Sequence, residues 1–64
     1  MYSDIRLWLT EISHSVKLNY YCKLVGVDSG NLTKFIRGYD KAVYIDKLIE
    51  LQDLIRSDLL KKIG

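Results

Sequence analysis

Proline is absent from this sequence, and cysteine and histidine occur once each. A single cysteine excludes an internal disulfide and reads as a chain of a reducing cytoplasm. Cys22 and His14 are eight positions apart, on different predicted helices, and no acidic cluster accompanies them at metal-ligand spacing. No CxxC, HExxH, P-loop or GxGxxG is present. Catalysis, a metal and a cofactor are therefore not expected, Cys22 reads as core, and His14 as a surface residue near a helix end. Apolar runs fall far short of the roughly 20 residues needed to span a bilayer. The first residues carry a tryptophan and mixed charges rather than a signal-peptide pattern. With no proline and no low-complexity tract, nothing reads as a linker, and the 64 residues are expected to form one domain over 1–64.

What is present is helical periodicity throughout. Ser3 is positioned to cap a first helix, with Asp4 in its first turn. Ile5, Trp8, Leu9, Ile12 and Val16 share one face at about 100° per residue, and Leu7 points the other way. Leu18, Tyr21, Cys22 and Val25 predict a second helix, which Gly26 ends in the manner of a left-handed cap. Val27 follows as a plug. Asp28, or failing it Ser29, is placed to cap a third helix running to Ile36 or Arg37, with Gly38 as its stop.

The third helix raises the functional question. Leu32, Phe35 and Ile36 make a narrow apolar edge, while Gly30, Lys34 and Arg37 lie opposite, flanked by Asn31 and Thr33. Glycine costs about 1 kcal/mol in a helix relative to alanine, and asparagine and threonine are also poor helix formers. A merely solvated face has no need of them. A face laid against another molecule does, because small residues allow close approach and short polar side chains supply hydrogen bonds. The DNA major groove makes those demands. Charge leans the same way. Residues 17–41 carry Lys17, Lys23, Lys34, Arg37 and Lys41 against Asp28 and Asp40, whereas the flanking segments are near neutral.

Cys22, Gly26, Val27, Asp28, Leu32, Thr33, Phe35 and Gly38 fall at the spacing of "A-x-x-x-G-V-S-x-x-x-[IL]-S-x-[FILW]-x-x-G". Over about residues 16–51 the chain resembles the lambda-repressor-like helix-turn-helix family of phage and bacterial regulators. The resemblance implies an all-α, compact bundle of four to five helices, with the helix-turn-helix at about 18–37. It implies Ser29, Gly30, Asn31, Thr33 and Lys34 as DNA-reading positions. Phosphate contacts would fall on Lys17, Leu18, Asn19, Arg37, Tyr39 and Lys41. The chain departs from the family at Lys17, where a serine or threonine cap is usual, and at Leu18, where glutamine is common. The implied function is a DNA-binding transcriptional repressor, cytoplasmic and nucleoid-associated in a bacterial host, acting on double-stranded DNA as a homodimer. The alternative is a helix-turn-helix scaffold that grips another regulatory protein.

The last third, about 45–63, reads as one helix or as two divided at Ser57-Asp58. Its apolar stripe spans nearly half the helical wheel, which is more than one small core needs. Leu54, Leu59, Leu60 and Ile63 are the expected dimer or partner surface. Tyr39 and Tyr44 flank the loop that precedes it.

Overall fold

The computed structural model describes residues 2–63, with side chains through Lys61. All regular structure among them is helical: α1 (Tyr2–Ile12), α2 (Leu18–Val25), α3 (Ser29–Ile36), a 3-10 turn (Asp40–Ala42) and α4 (Ile45–Ile63). The radius of gyration is 11.0 Å, close to the roughly 10.7 Å expected for a compact chain of this length.

One core serves every element. Ile5 and Leu9 of α1, Tyr21, Cys22 and Val25 of α2, Leu32 and Phe35 of α3, Val43, and Leu48, Leu51 and Ile55 of α4 are all buried. The α1 face continues past the helix, where the Val16 amide reaches back to the Ile12 carbonyl at 2.9 Å. His14 stands exposed in that turn.

Helix ends follow local chemistry. Gly26 has φ 85°, and its amide and that of Val27 both donate to the Cys22 carbonyl at 2.9 Å. This left-handed stop reverses the chain within three residues. Asp28 caps α3 by accepting the Gly30 amide at 3.0 Å. At the far end Gly38 has φ 124°. Its amide donates to the Phe35 carbonyl, and the Tyr39 amide to that of Lys34. This is the Schellman pattern that the left-handed glycine allows.

Two expectations are corrected, and one open alternative is decided. Ser3 lies inside α1, which begins at Tyr2, so it is not a cap. Ser57 and Asp58 do not divide the last segment, because α4 runs unbroken and Asp58 instead accepts a hydrogen bond from the Tyr21 hydroxyl at 2.8 Å. Leu54 and Leu59 pack against the core rather than standing free. Continuation of α4 past Ser57 sets Asp58 against Tyr21 and Leu59 against the core, and these contacts outweigh the local capping preference of Ser57-Asp58.

Candidate nucleic-acid interface

The outer surface of α3 is set by two fixed points. Leu32 and Phe35 are inserted in the core at 2% and 0% exposure, so the opposite side must face outward. Ser29, Gly30, Thr33, Lys34 and Arg37 are accordingly exposed, and Asn31 is half-buried at the edge. The Thr33 hydroxyl donates to the Ser29 carbonyl at 3.0 Å, which holds its side chain against the helix. A methyl group built on Gly30 would meet only its own cap, Asp28 Oδ1, at 3.6 Å. Neither packing nor backbone angle therefore requires glycine there.

Lys17, Asn19 and Lys23 stand exposed on and just before α2, and Lys41 on the 3-10 turn. Lys17 occupies the cap position of α2 and makes no side-chain capping bond. Leu18 is half-buried and packs against the core. Between α3 and the 3-10 turn lies an open groove lined by Asn31, Lys34, Gly38, Tyr39, Asp40, Lys41 and Ala42. Tyr39 is 68% exposed on one wall, and Tyr44, at 83%, stands free beyond the turn.

The two acidic residues of this segment are both engaged. Asp28 faces the Gly30 amide, and Asp40 is ion-paired with Arg6. All five basic residues from 17 to 41 are exposed, and none is in an ion pair among the described residues. Pairing of Asp40 with Arg6 leaves the exposed Asp28 as the one carboxylate of the segment outside an ion pair among the described residues, so residues 17–41 keep a positive balance.

Arg6 escaped the sequence reading. Its Nε donates to the Phe35 carbonyl at 2.8 Å, its guanidinium lies 4.7 Å over the Phe35 ring, and Nη2 meets Asp40. It ties α1 to the C-terminal end of α3 and to the turn that follows. Its place on the wheel beside Tyr2, at the margin of the apolar face, was the available signal, since a long cationic side chain there can pack its stem while its head reaches polar partners.

Among the described residues no group of three or more His, Cys, Asp or Glu side chains is placed to hold a metal ion. No helix among them is long and apolar enough to cross a membrane. Comparison with protein-family models, curated proteins and solved structures found no match.

Proposed function

We propose that this chain is a small DNA-binding regulator in which α2 and α3 act as a helix-turn-helix and α3 enters the major groove. The observation that carries the reading is the outer side of α3, where small and polar residues stand with the exposed Lys34 and Arg37, unpaired among the described residues, and Lys41 lies across the adjoining groove. Ser29, Gly30, Asn31, Thr33 and Lys34 are the base-facing positions, with Gly30 permitting close approach. Lys17, Asn19, Arg37 and Lys41 flank them as phosphate contacts, which position a protein without reading sequence. Regulation follows by occupancy of a promoter.

Selection of duplexes from a random pool, followed by titration at several salt concentrations, tests this. Lys34→Ala is expected to cost about 1–3 kcal/mol and relax preference at one position. Arg37→Ala is expected to weaken binding to all sequences alike and flatten the log-log salt slope by about one unit. Equal binding by both variants and the parent would remove α3 as the reading helix.

A second reading is supported by Tyr20 and Leu24, one turn apart on α2 and 57% and 58% exposed. They are the natural contact of a scaffold that binds another regulatory protein. In that case no saturable duplex binding appears at moderate salt.

A further inference from the structure

We infer that the outer side of α4 pairs with a second copy of itself, antiparallel, about a two-fold axis passing between Leu54 and Ile55. Four residues carry this: Ile49, Asp53, Arg56 and Leu60. Their spacing of four, three and four places them within an arc of about 60° on the helix and along about 16 Å of its length. Ile49 is 41% and Leu60 70% exposed, and Asp53 and Arg56 are exposed between them. Among the described residues neither charge is in an ion pair. Arg56 lies 5.6 Å over the Trp8 ring, which props its guanidinium at the border with α1.

The order apolar, acidic, basic, apolar is its own complement when reversed. In an antiparallel pair Ile49 meets Leu60 of the other copy, and Asp53 meets Arg56. Two-fold symmetry repeats both contacts, giving two apolar pairs around two ion pairs. A parallel pair in register would instead oppose Asp53 to Asp53 and Arg56 to Arg56. The pattern thus selects one orientation. It also shifts the self-association surface from the expected one, since Leu54 and Leu59 are partly buried against the core, Leu60 alone is shared, and the Ile63 side chain lies outside the described residues. Two copies would double the reading helix, and only in that use does the pairing rest on the regulator reading. Its existence is tested without DNA.

The test is sedimentation equilibrium on the free protein and on charge variants, with helicity recorded for each. The parent chain is expected to dimerise in the micromolar range. Asp53→Arg sets arginine against arginine twice, and Arg56→Asp sets aspartate against aspartate twice. Each alone is expected to weaken dimerisation at least about tenfold. An equimolar mixture of the two is expected to regain the dimer, because every acidic residue then faces a basic one. Dilution of the parent chain is expected to shift amide resonances along Ile49 to Leu60. A parent monomeric at about 0.5 mM, a mixture that stays monomeric while both variants remain helical, or dilution shifts centred elsewhere would each overturn the pairing. Loss of duplex binding with the dimer retained would count against the DNA reading alone.

Discussion

At Gly26 the backbone sits at φ 85° with open space where a side chain would go. The obstacle to substitution there is conformational, not steric contact. Gly26→Val is expected to destabilise by more than about 1 kcal/mol, since β-branched residues are poorly accommodated at positive φ. Gly30, four residues on, has the opposite character, with ordinary helical angles and room for a methyl group. Gly30→Ala is expected to stabilise the fold by about 0.5 kcal/mol, because it reduces the freedom of the unfolded chain. The same change is expected to weaken duplex binding by crowding the approach. Thermal unfolding and a binding titration on the one variant check both signs. A gain in stability with binding untouched would remove Gly30 from the interface. Both glycines were visible in the sequence, and Gly26 was assigned correctly from its place after an apolar run. That Gly30 is dispensable for the fold is a tertiary fact, because it depends on how far its own cap stands from where a Cβ would be.

Between elements, polar contacts fasten what the core leaves loose. The Tyr21 hydroxyl joins α2 to α4 through Asp58, and Lys47 Nζ donates to the Val25 carbonyl at 3.0 Å, closing the C-terminal end of α2. That end carries partial negative charge, so a lysine there is favourable. The hydrogen bond to the Asp58 carboxylate, with burial second, raises the Tyr21 pKa above its ordinary 10.0. Folding then holds the phenolic proton more tightly than the unfolded chain does. The contribution is present in full below about pH 10 and is lost as pH rises through the higher folded value. Stability of the parent chain is expected to fall above about pH 10 more steeply than that of Tyr21→Phe, as read by denaturant unfolding across the alkaline range. Parallel curves would show that the contact is not sustained in solution. Arg6 is a further tie, joining α1 to the end of α3 and to Asp40. Arg6→Met is expected to cost about 1 kcal/mol, at the low end for a charge-assisted bond because Asp40 is half open to solvent. None of these ties was legible beforehand, since partners 22 to 37 positions apart leave no local periodicity to read.

For the molecule as a whole, 64 residues place total stability at about 3–10 kcal/mol. Phe35 is fully buried, touches the Tyr2 ring across 6.2 Å between centroids and lies under Arg6. Truncating such a residue to alanine costs about 3–5 kcal/mol, a large share of that total. Phe35→Ala is expected to be substantially unfolded at 37 °C by circular dichroism. Surface changes such as Lys34→Ala are expected to leave the melt within about 0.5 kcal/mol of the parent. This contrast separates variants that report on binding from those that report on folding. A cooperative, near-parental melt for Phe35→Ala would mean that the single core is not shared as described.

Local physics in the sequence determined the helical character, the buried stripes of α1, α2 and α3, the left-handed stops at Gly26 and Gly38 and the cap at Asp28. Each depends on residues within about one helical turn of one another, where spacing and backbone preference act directly. Tertiary structure alone decided that α4 runs through Ser57-Asp58. It also drew Leu54 and Leu59 onto the core, and paired Asp40 with Arg6, which leaves Asp28 alone as an unpaired carboxylate among the basic residues of 17–41. Those outcomes depend on which surfaces meet after the chain closes. Burial against a distant helix outweighs a capping preference, and a salt bridge 34 positions long changes the field of a face without altering the formal charge of any residue on it.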